Sequence, residues 1–443
     1  MNSSLKLEAI SRQRIGVLGY GREGRSAVQA LRHHAPEADL TVLIESGEGP
    51  VDAPVIEGAF DERLQDFDIL LRSPGVPVNH PALRAYRKRG GRVVNPGSIW
   101  FAERDDVPVV GVTGSKGKST TASLLAHMLT ASGRQVLLAG NIGVPLLDHL
   151  HTEVEIVVLE MSSYQLADIE GRLELGLITR LFPEHLDWHD TMAHYVACKL
   201  RLADLLEGHP LLVNAADPVL MEATANITGR IAANRAPYVE RRADTLILGD
   251  RLLTDSSRLA LIGHHNLDNM ALAVQAGVQL GCPVDELVAS LSDFEPLPHR
   301  LEPVATVDGV RWINDSIATS PHATLAALEA LGGAPVTLIV GGKDRRADWS
   351  EVIEWAARQG LQGLITLPDN GESISAAFER VLGKDAVPQF PAADMETAVM
   401  QARSVSRPGS VVLLSPGAPS FPHFKDFEDR GRQFANAVLT LTA

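Results

Sequence analysis

A chain of 443 residues has room for two to four domains of ~150 residues each, and its 45% hydrophobic content can bury sizeable cores. The formal net charge of -15 argues against a nucleic-acid or anionic-membrane partner held by bulk electrostatics. Cys198 and Cys282 are too few for a disulfide framework or a thiolate zinc site, and neither a signal-peptide core nor an apolar run of about 18 residues is present, so the expectation is a soluble, cytoplasmic chain without a membrane partner.

Apolar strand-like runs alternate with helix-like segments, which predicts parallel sheets covered on both faces. In the first block, RIGVLGYGREGRSAVQAL reads as a strand over 15–18, the turn Gly19-Tyr20-Gly21-Arg22-Glu23-Gly24, and a helix. DLTVLIES is a second strand ending near Glu45, and FDILLRSPGVP a further strand followed by the turn Ser73-Pro74-Gly75. The G-x-G-x-x-G turn, with an acidic residue at Glu45, leaves three readings open: a dinucleotide site, another diphosphate ligand, or a structural turn. The block closes at the charged stretch FAERDDVP.

The second block opens with VPVVGVTGSKGKSTTASLL, a β-branched run, a glycine-rich turn and an apolar-periodic segment. The usual phosphate loop, G-x-x-x-x-G-K-[ST], puts glycine at position 112, where this chain has Val112. Strand, glycines, Lys118-Ser119 and helix still occur in the right order for a nest of backbone N–H groups around phosphates, with Lys118 bridging them and Ser119 offering a hydroxyl to Mg²⁺. Glu160 ends the run EIVVLE, where a sheet would deliver a second metal-side carboxylate. In PEHLDWHD, His185 and His189 can serve as metal or phosphate ligands or as hydrated loop residues. Lys199, in the periodic HYVACKLRLADLL, reads locally as a snorkelling lysine. The third block begins near PLPHRLEP, and its loops carry Arg300, Asp315, Ser316, Thr319 and Arg345, close to the ends of strand-like runs.

Taken in order, GVTGSKGKST, GNIGVPL, VVLEMSSYQL, FPEHLDWH, ACKLRL, GHHNLDN, LPHRLE, WINDS and SPGAPSFPHFKDFEDRG resemble the Mur ligase family, in its MurD branch, over nearly the whole chain. The family's loop is TGxxGK[ST], which Thr113 to Ser119 satisfy, so Val112 is no defect. The resemblance implies an α/β protein of three domains: a Rossmann-like UDP-binding domain over 1–106, a central P-loop ATPase domain with a parallel sheet over 107–297, and a Rossmann-like glutamate-binding domain over 298–443. It implies an ATP-dependent ligase that adds D-glutamate to UDP-N-acetylmuramoyl-L-alanine through an acyl phosphate in peptidoglycan synthesis, as a monomer. L-glutamate is the alternative, and a folylpolyglutamate synthase-like ligase a more distant one.

The resemblance also assigns residues. ATP would be held by Gly114, Ser115, Lys116, Gly117, Lys118, Ser119, Thr120, Asn266, Asn269, Arg300 and Asp315. The UDP substrate would meet Gly21, Arg22, Glu23, Glu45, Ser73, Pro74, Gly75, Asn141, Ser162 and His185. Two Mg²⁺ sites would draw on Ser119, Glu160, His185 and Lys199, the last as a carbamate formed with CO₂, and Lys118, Lys199, His185 and Glu160 would be catalytic. Glutamate would meet Thr319, Arg345, Ser420 and Phe427. The departures sit at that pocket: Ile317 stands where the branch commonly has lysine, Arg345 replaces another lysine, and Ser420-Phe421-Pro422 lacks the usual acid. Arg180 replaces a frequent asparagine before the EH motif.

Overall fold

The computed structural model describes residues 3–442 apart from 48, 143, 183–185, 190, 260, 262 and 346. The chain forms two compact units, one running to Arg258 and taking in His265–Phe294, the other made of Leu259–His264 and the chain from Glu295 on.

The first unit contains three sheets. Strands β1 (Ile15–Leu18), β2 (Leu40–Ile44), β3 (Val55–Glu57), β4 (Ile69–Arg72) and β5 (Arg92–Val94) form a parallel sheet in the order β3-β2-β1-β4-β5. Its central strands, IGVL and ILLR, are buried along their whole length, as a sheet covered on both faces requires. Strands β6 (Val109–Thr113), β7 (Val136–Gly140), β8 (Ile156–Glu160), β9 (Leu175–Ile178), β10 (Leu211–Asn214) and β11 (Arg230–Ala233) form a second parallel sheet, ordered β11-β10-β9-β6-β8-β7. The third is a small antiparallel meander of β12 (Val239–Arg242), β13 (Thr245–Leu248) and β14 (Arg251–Asp255). The alternation of strands and helices does not anticipate it. Its turns carry Ala243 and Gly249 at positive φ, 51° and 60°.

The two parallel sheets share one apolar core, which runs from Val17 and Ile69 through Trp100 and Phe101 to Val109 and Leu159. The helix Pro96–Glu103 lies within it and is buried along most of its length, because PGSIWFAE is apolar all round. Asn95 caps this helix, its side chain accepting from the Gly97 amide at 2.9 Å.

In the second unit β15 (Glu302–Val307) and β16 (Val310–Asn314) form an antiparallel pair at the edge of a sheet that continues in parallel through β17 (Val336–Val340), β18 (Gly363–Thr366), β19 (Gln389–Pro391) and β20 (Val411–Leu414). Its order is β15-β16-β20-β17-β18-β19, with an apolar core on each face. The α/β class and the succession of sheets agree with the expectation from sequence. No helix among the described residues is long and apolar enough to cross a membrane.

Candidate active site

The glycine-rich loop leaves β6, a central strand of the second sheet, and runs into the helix Lys118–Ala131. Gly117 is the N-cap residue, in the left-handed region at φ 87°, and a Cβ there would lie 2.4 Å from Asn269 Oδ1. Gly114 is equally constrained: a Cβ would come within 2.0 Å of Thr179 Oγ1. Ser115 anchors the loop, its N–H donating to the Arg180 carbonyl at 2.6 Å and its Oγ to the Phe182 carbonyl at 2.9 Å. Lys118 Nζ donates to the Ser115 carbonyl at 2.8 Å, so the ammonium lies along the loop. Asn266 and Asn269 are buried in the helix His264–Gln279, joined at 3.2 Å, with Asn269 against Gly117. Arg180 pairs with the buried Asp268 at 2.6 Å, which gives that departure from the family pattern a structural partner.

Glu160 is the last residue of β8, and parallel register puts it opposite Val112 in β6 on one side and Gly140 in β7 on the other. It is fully buried. Its Oε1 accepts from Asn141 Nδ2 at 2.7 Å, while Oε2 has no hydrogen-bond partner among the described residues. A buried carboxylate oxygen without a donor is costly unless a cation meets it, so the chemistry of this group fits a divalent metal beside the phosphate loop. Gly140 permits the close crossing, since a Cβ there would fall 2.3 Å from the Glu160 carbonyl.

From Asn141 a cleft of about 290 Å³ opens between the two parallel sheets. It gathers the predicted Gly21, Arg22, Glu23, Ser73, Pro74, Gly75, Asn141 and Ser162. Arg22 Nη2 crosses it to the Asn141 carbonyl at 3.1 Å. Burial holds the Glu23 carboxyl above the usual carboxylate range, against the opposing hydrogen bond from Gln165 at 2.8 Å and the charge of Arg22. Glu45 lies apart: it is exposed just past β2 and does not line the cleft. Tyr164 and Gln165, which the family resemblance does not single out, also line it. Gln165 carried a readable signal, because Ser162-x-x-Gln165 is a capping box, and both of its hydrogen bonds form.

His185 falls outside the described residues. His189 is buried, its Nε2 2.8 Å from Ser163 Oγ, and it stacks on Tyr164. The ligand atoms of His189, His194 and Cys198 lie within 4.8 Å of one another. His194 Nδ1 is engaged by the His189 carbonyl at 2.8 Å and burial pushes the Cys198 thiol up, so this is a packed cluster, not a ready set of ligands. Lys199 does not snorkel: it is only 2% exposed, with Nζ 2.6 Å from the Gly114 carbonyl and 4.8 Å from the centre of the Tyr195 ring. Its helix, Met192–Asp204, turns that side chain under the phosphate loop, a placement that periodicity could not reveal.

In the second unit Asp315 follows β16, its Oδ1 accepting from the Leu301 amide at 3.2 Å and its Oδ2 from Ser415 Oγ at 2.9 Å, which ties it to the segment of Arg300. Thr319, Arg345 and Ser420 follow the adjacent parallel strands β16, β17 and β20 at their carboxyl ends, and Phe427 opens the helix Phe427–Thr440. Thr319 and Arg345 are exposed, and Ser420 is buried. Arg430, fully buried, gathers their loops through hydrogen bonds to the carbonyls of Ser316 at 2.8 Å and Ala418 at 3.0 Å and, at 3.4 Å, Gly341. Burial lowers its pKa to about 10.

The family model of the Mur ligase middle domain matches residues 112–277, and that of the Mur ligase, glutamate ligase domain matches 299–417. The UDP-N-acetylmuramoyl-L-alanine--L-glutamate ligase of Xanthomonas euvesicatoria pv. vesicatoria is 38% identical, over 97% of this chain and 96% of its own length. The protein of the same name from Micromonospora sp. is 39% identical over 98% of both chains. The chain belongs to the Mur ligase family. As a Mur ligase it is an ATP-dependent enzyme that forms amide bonds. Solved Mur ligases share its fold at low identity. The UDP-N-acetylmuramate-alanine ligase MurC of Thermotoga maritima superposes with a TM-score of 0.61 at 16% identity, over 97% of this chain and 99% of that one. The MurF ligase of Thermotoga maritima, in complex with ADP, gives 0.59 at 16% identity, over 98% and 97%.

Proposed function

We propose that this Mur ligase joins the amine of glutamate to the alanyl carboxylate of UDP-N-acetylmuramoyl-L-alanine, at the expense of ATP, in peptidoglycan synthesis. The observation that carries the reading is the single cleft in which eight of the expected acceptor residues meet, leading through Asn141 to Glu160 beside the phosphate loop. Residues 1–106 would hold the UDP group, 107–297 the ATP phosphates, and 298–443 the glutamate. The relatives named for L-glutamate support that enantiomer over the D form. The pocket also departs from the wider branch, with Ile317 in place of a lysine and Pro422 in place of an acid.

In the reaction the alanyl carboxylate attacks the γ-phosphate of ATP, and two anions must meet. Lys118 and the N–H groups at the end of the loop, by Gly117 and the start of the helix, would receive the phosphate oxygens, the Ser115 N–H being held by the Arg180 carbonyl. Glu160, Ser119 and His185 would hold magnesium, and Lys199 would join them as a carbamate, the long-armed anion that its buried amine beside Gly114 could become. Magnesium, when bound, neutralises phosphate oxygens and so lowers the barrier to the anionic attack. Asn141 fixes the Glu160 carboxylate and borders the acceptor cleft, which brings the acceptor's reacting end toward the phosphate. The acyl phosphate then takes the glutamate amine, and the tetrahedral intermediate collapses to amide and phosphate. Arg345, at the carboxyl end of β17, would clamp a glutamate carboxylate.

Phosphate release with UDP-N-acetylmuramoyl-L-alanine tests the reading. Release with L-glutamate, and little with D-glutamate, is expected. The reverse preference overturns the stereochemical part, and no release with either enantiomer overturns the whole.

A further inference from the structure

Arg72 ends β4 immediately before Ser73-Pro74-Gly75, and its side chain is fully buried. Its Nε and Nη2 each donate to one oxygen of Asp168 at 2.6 Å, and Nη2 also donates to the Tyr164 carbonyl at 2.9 Å. Nη1 faces the other way, toward the carbonyls of Ser73 and Pro74, both at 3.1 Å, and of Val76 at 2.6 Å. Asp168 also accepts from Asn95 Nδ2 at 3.1 Å, and Arg87 stands 4.0 Å from it. One guanidinium thus holds both walls of the acceptor cleft: Ser73–Val76 from the first sheet, and the segment of Tyr164 and Gln165 that follows the second.

A buried ion pair stabilises a fold little compared with apolar side chains of the same volume. What the planar fork supplies is direction. The only cis peptides among the described residues are Ala236-Pro237 and Phe421-Pro422, so Pro74-Gly75 is trans. In a trans peptide C=O and N–H point oppositely. Since the Pro74 oxygen is drawn onto Nη1, the Gly75 N–H is turned away from Arg72, and Gly75 lines the cleft.

We infer that Arg72 is a positioning residue for the acceptor: through Asp168 it locks the two cleft walls together and presents the Gly75 N–H to a carbonyl or phosphate oxygen of the nucleotide. The inference rests on the proposed use of this cleft for a UDP-linked acceptor. Arg72→Lys keeps a cation beside Asp168 but cannot reach acceptors on all five residues at once, and Asp168→Asn keeps one acceptor while removing the charge.

The test measures KM for acceptor, ATP and glutamate separately in wild type, Arg72→Lys, Asp168→Asn and Arg72→Ala, together with the Kd of UDP alone by calorimetry. The expected result is an acceptor KM and a UDP Kd raised about tenfold or more in the Lys and Asn variants, with KM for ATP and glutamate within about twofold of wild type. An unchanged acceptor KM and UDP Kd in Arg72→Lys overturns the inference, as does a parallel rise of all three KM values, which general loosening would produce. If Arg72→Ala does not fold, the two conservative variants decide. A wild type that binds UDP but releases no phosphate with the acceptor sinks the proposed function alone, and the UDP affinities still decide the role of Arg72.

Discussion

Replacing Glu160 by Gln changes the charge at the edge of the phosphate loop while keeping its shape. The side chain is fully buried, one oxygen takes the Asn141 amide at 2.7 Å, and the other has no donor among the described residues. Leaving a buried polar group unmet costs about 1–3 kcal/mol, and more when it is charged. Glutamine retains the acceptor toward Asn141 and exchanges an unmet charged oxygen for an unmet neutral amide, so with chelator present Glu160→Gln is expected to be more stable than wild type by the difference between the two, about 1 kcal/mol. At about 2–4 °C per kcal/mol, the melting temperature rises by roughly 2–4 °C. With Mg²⁺ and ADP the order reverses. A ligand at 100 times its Kd stabilises the wild type by about 2.7 kcal/mol, and the glutamine variant, lacking the metal-side charge, forgoes most of that. Thermal denaturation in chelator and in Mg·ADP reads both signs, and phosphate release should fall at least about a hundredfold in the variant. A variant that melts below wild type in chelator, or that gains as much from Mg·ADP, refutes the reasoning.

Lys199→Ala should nearly abolish turnover, with formate or bicarbonate restoring part of it; full activity of the variant removes the carbamate role. Arg345→Ala should raise the glutamate KM much more than the ATP KM, and equal effects would take Arg345 out of the amino-acid pocket. For Glu23 the sign follows from burial. Its carboxyl titrates above the unfolded value of 4.5, so folded wild type loses stability relative to the unfolded chain as pH rises from that value through the folded one. Glu23→Gln should therefore match wild type in urea midpoint near pH 4 and exceed it at pH 8; an equal difference at both pH values would refute this.

The features legible in the sequence are those set by short-range geometry. The phosphate loop is an example: β6, Gly114, Gly117 and the helix Lys118–Ala131 lie within a couple of dozen residues, and each glycine answers a local backbone demand. Alternating apolar runs likewise sufficed for the α/β class, since strands covered on both faces must be apolar throughout. The position of Glu160 at a strand end was readable too, though its burial was not.

Tertiary packing decided the rest. Lys199 looks amphipathic in its helix, yet packing against the loop buries it. Arg72 and Asp168 lie 96 residues apart and carry no mutual signal in the chain, yet they meet because the core around Trp100 and Phe101 holds two sheets together. Glu45 has the spacing of a nucleotide contact but stands outside the cleft, since β2 delivers it beyond that site's walls. Local dihedrals and hydrophobic period are written residue by residue, so the sequence alone determined the loop, the strands and the chemistry available. Which strand ends become neighbours, and which charges lose water, depends on the summed packing of both sheets, and so only the folded chain determined the cleft and the buried groups that border it.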